Sequence, residues 1–198
     1  MNTRLLGDAA DHWKGSLLGF LQQAGLLCQL AVDPMVSDAL NWTAEDYMVY
    51  TRLLRVESAQ LTGHKTDLKA DRAGYFTEIS HTGDLFLDPD SGMATGKPTQ
   101  VERYVMPEEV GALLAANRDR LLIFCQRGPF GVQISNRVEN LLDAPRRRSG
   151  NFHWCAYGTA NQVMLFISGQ KFRIAMIANH LRDVLGSRAA GRILSGEK

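Results

Sequence analysis

The apolar positions of the chain recur at helical spacing in several stretches. The first stretch predicts a helix over residues 5–31, although Gly15 and Gly19 weaken it. In the second stretch, Thr43 and Asp46 have the spacing of a capping box, which predicts a helix start there and an end near Gly63. The same spacing predicts three more helices, over residues 107–117, 138–142 and 171–185.

Between these helices the apolar pattern indicates strands. Period-two alternation predicts a hairpin of two strands around a turn at residues 81–83. Residues 121–125 are apolar at every position, which predicts a strand covered on both faces. The predicted strands cover residues 75–79, 85–87, 101–105, 121–125, 132–134, 152–157 and 162–167.

The order of these elements predicts an α+β fold. Strands that follow one another through short connections pair antiparallel, because parallel pairs need long crossovers. We therefore expect an antiparallel sheet of about seven strands with helices packed on it and a long C-terminal helix. We expect a single domain over residues 1–198, with an N-terminal helical segment at 1–63 and an α+β portion at 73–198.

The composition indicates a globular protein in a reducing compartment. Of the 198 residues, 45% are hydrophobic and 22% are charged, which is typical of globular domains. The three cysteines are widely spaced, so we expect free thiols and a cytoplasmic location. The most apolar stretch, residues 17–32, is interrupted by glutamines, and we expect no membrane span.

The charge of the chain is segregated along the sequence. Residues 1–119 carry 10 Lys and Arg against 17 Asp and Glu, whereas residues 120–198 carry 12 against 4. Such asymmetry suggests an anionic partner for the basic part. Mutual attraction of the two parts within one fold explains the same pattern.

The strongest candidate site is the basic region, where arginines lie among aromatic residues. The predicted loop at residues 144–150 contains three consecutive arginines, followed by Phe152 and Trp154. Arginine clusters neutralise phosphates, and aromatic faces stack on unpaired bases. We therefore predict a non-catalytic, nucleic-acid-associated or regulatory protein. The predicted phosphate contacts are Arg127, Arg146, Arg147, Arg148, Arg173, Arg182, Arg188 and Arg192.

Two alternatives come from other classes of protein. One is an interaction module that binds an acidic protein partner or a second copy of the chain, through the Leu- and Gln-rich N-terminal segment. The other is an enzyme or small-molecule sensor, which requires Cys125, His153 and Tyr157 to meet in one pocket. His81, Cys125, His153 and Cys155 do not have a known zinc spacing, so we expect no metal and no cofactor.

The acidic segment at residues 88–92 has some features of a calcium-binding loop. Asp88 and Asp90 are two positions apart, but the later oxygen ligands of such a loop are missing. The residue types Asp, Pro, Ser and Gly are those of turns. We therefore interpret residues 88–97 as a turn-rich connection.

Overall fold

A six-stranded sheet forms the centre of the computed structural model, which describes residues 3–37, 42–62, 68–79, 83–94, 96–127, 132–159 and 161–196. The strands lie in the order β1-β2-β3-β5-β4-β6. Their bounds are Ala31–Asp33 (β1), Leu85–Leu87 (β2), Leu122–Arg127 (β3), His153–Gly158 (β4), Gln162–Ser168 (β5) and Ile193–Ser195 (β6). The three pairings β3–β5, β5–β4 and β4–β6 are antiparallel, whereas β1–β2 and β2–β3 are parallel.

Helices cover both faces of this sheet. Their bounds are Ala9–Gln23 (α1), Ala44–Leu54 (α2), Arg72–Glu78 (α3), Pro107–Ala116 (α4), Val132–Ser149 (α5) and Lys171–Ala189 (α6). Apolar side chains of α1, α2 and α6 share one core cluster with one face of the sheet, and those of α3, α4 and α5 share a second cluster with the other face. The predicted coverage of residues 121–125 on both faces is confirmed, because these side chains are buried in alternation on the two sides.

The mixed pairing corrects the predicted antiparallel sheet of about seven strands. Within the described residues the sheet has six strands, and its first three are parallel. Helical crossovers separate these three strands along the chain, and such connections allow parallel pairing. The N-terminal segment at 1–63 contributes the edge strand β1 as well as helices.

Two predicted strands are helical in the structure. Residues 72–78 form α3, in which the Asp71 side chain accepts a hydrogen bond from the Gly74 N–H at the helix start. Tyr75 and Ile79 are both buried, and their separation of four positions is helical spacing. The predicted strand at 101–105 contains instead a single 3₁₀ turn, Val101–Arg103.

One helix, α5, covers the region for which we predicted a strand at 132–134, a short helix and a basic loop. Val138, Leu141 and Leu142 are buried and supply its apolar stripe. The run of three arginines therefore belongs to the last part of a helix that continues past Pro145. The turn predicted around Gly128 falls outside the described residues, as does the turn at 81–82.

Predictions from local signals at the ends of helices and strands agree with the structure better than the predicted lengths do. The capping box of Thr43 and Asp46 is confirmed, with both hydrogen bonds present, but α2 ends at Leu54. The β4–β5 hairpin is confirmed within one residue at each end. In α6, Gly186 interrupts the helical geometry with φ 67°, and the helical residues continue to Ala189. No helix in the described part has the length and hydropathy needed to cross a membrane.

Candidate functional site

The carboxyl ends of the parallel strands meet at one edge of the sheet. Asp33 is the last residue of β1, Asp88 follows β2 directly, and Arg127 ends β3. The backbone N–H of Asp88 donates to the Asp33 carbonyl at 2.9 Å, which ties the first two ends together. In open α/β sheets, ligands bind in the crevice outside such strand ends.

A buried lysine lies at this edge between two carboxylates. Lys14 of α1 is only 7% exposed. Its Nζ donates to Oδ1 of Asp11 at 2.9 Å and to both carboxylate oxygens of Asp88, at 2.8 and 2.9 Å. The Tyr50 hydroxyl donates to Oδ2 of Asp88 at 3.3 Å. This cluster connects α1, α2 and the end of β2.

The cluster fixes its charges. Burial lowers the pKa of Lys14, but the charge of Asp88 and its other neighbours raises it by more, so the net pKa is raised and the ammonium persists. Burial raises the pKa of the neighbouring Cys125 thiol to about 12. Because nucleophilic attack requires the free amine or the thiolate, neither Lys14 nor Cys125 supplies a nucleophile at neutral pH.

Asp33 lies in the same edge and has no cationic partner among its hydrogen bonds. Its side chain is fully buried. One carboxylate oxygen accepts from the Tyr75 hydroxyl and from the Met35 N–H, whereas Oδ2 has no partner in the described part of the chain. Burial raises the pKa of Asp33 to about 7, against the effect of these two hydrogen bonds. Asp33 is therefore the group at this edge that exchanges a proton near neutral pH.

The segment after β2 completes the edge. Asp90 is 6% exposed, accepts from the Ser37 hydroxyl at 2.7 Å and has the Arg103 Nε at 3.5 Å. At Gly92 the backbone has φ 88°, and an added Cβ would lie 2.5 Å from Oε1 of Gln126. The same Gln126 oxygen accepts from the Met93 N–H at 2.8 Å. Gly92 is thus required for close approach of this segment to β3.

A small cavity opens between this segment and the start of α1. Its volume is about 30 Å³, which is enough to hold an ordered water molecule. Carboxylates outnumber cations among its walls, so the cavity suits a hydrogen-bond donor or a positive group. The lining residues include Asp8, Asp11, Lys14, Asp88, Asp90, Cys125, Arg127 and Gln162.

Sequence reasoning missed this site. The residue types of the Asp88–Gly92 segment predict a turn, and neither Lys14 nor Asp33 belongs to a recognisable sequence motif. The available signal was the pair of aspartates directly after a short apolar strand. That signal gains meaning only once β2 is known to be parallel to its neighbours.

The eight arginines predicted to contact phosphate do not form one surface in the described part of the chain. Arg173 donates to both carboxylate oxygens of Asp84, at 2.7 and 2.6 Å, before the start of β2. Arg127 lies at the opposite edge, at the end of β3. The others lie in α5 (Arg146, Arg147, Arg148), in α6 (Arg182, Arg188) and after α6 (Arg192), and the side chains of Arg148 and Arg188 fall outside the described part.

Two of these arginines do share a location with other cations. Arg146 pairs with Glu139 and donates to the Phe152 carbonyl at 3.3 Å. Burial lowers the pKa of the adjacent His153, as do the charges of Lys171 and Arg146. His153 therefore lies within the electrostatic reach of both cations, and Arg182 lines the same cleft as His153.

The residues of the predicted Cys–His pocket are not brought together. Cys125 and Tyr157 both pair with Met164 of the intervening strand, whereas His153 pairs with Ser168 at the other end of the hairpin. Four residues of strand separate His153 from Tyr157, or roughly 13 Å. Among the described residues, no group of three or more His, Cys, Asp or Glu side chains could hold a metal ion.

Comparison with known proteins assigns no family. No family model and no curated protein sequence matches the chain. A crystal structure of protein LPL1258 from Legionella pneumophila str. Philadelphia 1, described by the family model DUF519, is similar over 98% of both chains, with 10% sequence identity and a TM-score of 0.34. At this TM-score the similarity establishes neither a shared fold nor a shared function.

Proposed function

We propose that this protein binds a small polar ligand at the carboxyl ends of β1, β2 and β3. The observation that carries the proposal is the buried Lys14–Asp88 pair at the wall of a cavity in that edge. Burying charges costs several kcal/mol per ion, and a folded chain accepts that cost most readily at functional sites. The edge is also where open α/β sheets bind ligands.

The walls of the cavity define the class of ligand. Lys14 neutralises part of the charge of Asp11 and Asp88, and Asp90 adds a third aspartate to the same wall, where it accepts from the Ser37 hydroxyl. A water-sized space next to carboxylates fits one ammonium or one hydroxyl group. We therefore propose an amine or polyhydroxylated ligand that inserts a single such group beside Asp90, with the rest of the ligand outside.

The experiment uses two probes that differ in the inserted group. Titrations of the full chain with 1,4-diaminobutane and with ribose, followed by amide NMR shifts, should perturb the amides of Asp88, Arg127 and residues 90–92. Asp90→Asn should weaken binding of the effective probe about tenfold, because a charge-assisted hydrogen bond contributes roughly 1.5–3 kcal/mol. Sodium acetate is the negative control, since the carboxylates repel it.

The matched variant is Asp183→Asn, which removes one carboxylate from the exposed side of α6. Binding should be unchanged in this variant. If neither probe shifts the amides of Asp88 and residues 90–92, or if both aspartate variants weaken binding equally, the proposed ligand site is wrong.

A second candidate is the association with nucleic acid expected from the charge segregation. One observation favours it in a narrower form, which is the clustering of Arg146, Lys171 and Arg182 around His153. Arg173 forms an ion pair with Asp84, so it does not support the proposed nucleic-acid contact. We propose that the phosphate contact uses the cluster around His153, with the exposed Arg147 as a neighbour on α5.

A gel-shift titration with mixed-sequence DNA and RNA at two salt concentrations tests this second candidate. Phosphate-directed binding should weaken steeply with salt, because each neutralised phosphate releases condensed counterions. Binding that is absent at low salt, or indifferent to salt, contradicts it.

A further inference from the structure

A second cleft lies within the basic part of the chain, between α6 and the edge formed by β4 and β6. Its free volume is about 90 Å³, three times that of the carboxyl-end cavity. The floor is the start of β4, where β6 no longer pairs, because the β4–β6 ladder begins only at Cys155. The walls are one side of α6 and the end of β6, with the lining residues His153, Trp154, Lys171, Ile174, Ala175, Ala178, Asn179, Arg182, Ser195 and Gly196.

The cleft is lined by nitrogen donors. Lys171 and Arg182 contribute positive charges from α6, and His153 contributes an imidazole from β4. None of the lining residues in the described part is acidic. Glu139 of α5 contacts the lining residue Trp154: its carboxylate accepts from the Trp154 indole N–H at 2.5 Å and pairs with Arg146. Asp183 lies next to Arg182 in sequence but is exposed.

The Arg182 guanidinium is oriented before any ligand binds. Arg182 donates to Oδ1 of Asn179 at 3.1 Å and to the Ser195 hydroxyl at 3.4 Å, so its guanidinium is held between α6 and β6. The guanidinium retains further N–H groups, because it carries five donors in a planar fork. Lys171 and His153 line the same cleft, and guanidinium, ammonium and imidazole N–H groups are all donors that bind the acceptor oxygens of a phosphate group.

We propose that the cleft between α6 and the β4–β6 edge binds a phosphate group through Lys171, Arg182 and His153. The group comes either from a nucleic-acid backbone or from a small phosphorylated metabolite. The inference does not depend on the ligand site at the strand ends. If the protein binds nucleic acid, we propose that the backbone phosphate binds in this cleft. A phosphomonoester tests phosphate binding in the cleft whether or not the protein binds nucleic acid.

The test compares two probes on the same variants. Affinities of the full chain for ribose 5-phosphate and for a mixed-sequence 12-nucleotide single strand are measured at low salt by calorimetry. Lys171→Gln and Arg182→Gln should each weaken binding of the effective probe about tenfold, since each removes a charge-assisted hydrogen bond. Lys171→Arg keeps the charge and should retain most of the affinity. Arg52→Gln, an exposed change of the same charge on α2, is the matched control.

Each outcome decides the proposal. Losses with both probes, or with ribose 5-phosphate alone, support the cleft as a phosphate site, and in the latter case the source is a metabolite. Losses with the oligonucleotide alone also support it and identify a backbone. If neither probe binds, or if Arg52→Gln weakens binding as much as Arg182→Gln, the proposal is overturned. Circular dichroism of each variant confirms that the fold is retained before the affinities are compared.

Discussion

The Nζ atom of Lys14 lies 2.8 Å from Oδ1 of Asp88, although the two residues are 74 positions apart in the chain. This contact joins the first helix to the segment that follows β2. Both side chains are removed from water, at 7% and 2% exposure. The Lys14 ammonium is therefore balanced by Asp88 and Asp11, and the Asp88 carboxylate is balanced by Lys14.

Lys14→Met should lower the free energy of unfolding by about 3–5 kcal/mol at pH 7. The substitution leaves two carboxylates buried without their cation, and breaking a buried pair on one side has a cost of this size. Urea unfolding followed by fluorescence measures the loss.

Two further variants separate this cost from a general effect of losing a lysine. Lys97→Met changes an exposed lysine and should stay within about 0.5 kcal/mol of the native protein. In the double variant Lys14→Met/Asp88→Asn the loss should be smaller than the sum of the losses in the two single variants, because one of the two uncompensated carboxylates is gone. Strict additivity of the two losses would contradict the pairing.

Asp33→Asn should stabilise the protein in a manner that depends on pH. The unfolded chain releases the Asp33 proton near its ordinary pKa of 3.8, whereas the folded protein keeps it up to about pH 7. Between these values the unfolded state binds fewer protons, so the stability of the native protein falls as pH rises. Asparagine does not titrate. The stability difference should be smallest below pH 4 and should grow by roughly 4 kcal/mol by the time the pH exceeds 7.

Urea unfolding of both proteins at pH 4, 6 and 8 measures this difference. Asp183→Asn is the control for the loss of an exposed carboxylate. Parallel stability curves for the native protein and Asp33→Asn would show that Asp33 is ionised in the folded state throughout.

The elements that could be predicted from sequence are those set by adjacent residues. Thr43 and Asp46 form their capping box with each other, and the β4–β5 hairpin is closed by a connection of a few residues. The apolar run before Cys125 indicates a buried strand whichever strands pair with it. Such features depend on local chemistry, so a single sequence contains their signals.

The candidate site depends instead on contacts between distant parts of the chain. β1 has three residues, Ala31–Asp33, which is too short for a recognisable period. Its carboxyl end becomes a site only because β1 pairs parallel with β2. Residues 75–79 carry both a period of two and a spacing of four, and the tertiary packing of Tyr75 and Ile79 selected the helix.

Gly15→Ala should destabilise the protein although alanine favours helices. A Cβ at Gly15 would overlap with the backbone carbonyl of Leu53, where α1 and α2 pack closely. Backbone atoms cannot yield as a side chain can, so overpacking should exceed the propensity gain of about 1 kcal/mol and leave a net loss of roughly 1–3 kcal/mol. Gly19→Ala is the matched control in the same helix. Its Cβ would lie 3.2 Å from the flexible Arg55 side chain, and thermal unfolding should show no loss.

Arg173→Ala should reduce stability without affecting phosphate binding, which distinguishes it from the cleft arginine Arg182. Asp84 is 1% exposed and receives both terminal nitrogens of Arg173, together with the N–H groups of Cys28 and Leu121 at 2.6 and 2.9 Å. Truncating the arginine leaves the carboxylate with the two amide N–H groups and with the charge of the nearby Arg120. Because the Arg173 side chain is 21% exposed and water screens part of the charge, we expect a loss of about 2–3 kcal/mol.

Urea unfolding measures that loss, and calorimetry with ribose 5-phosphate measures the binding in the same preparation. Arg192→Ala, at an exposed position after α6, should change stability by less than about 0.5 kcal/mol. A binding loss in Arg173→Ala equal to that in Arg182→Gln would place Arg173 in the phosphate contact. In that case some of its hydrogen bonds would have to open when the ligand binds, because its two terminal nitrogens already donate to Asp84 and to the carbonyls of Asp119 and Leu26.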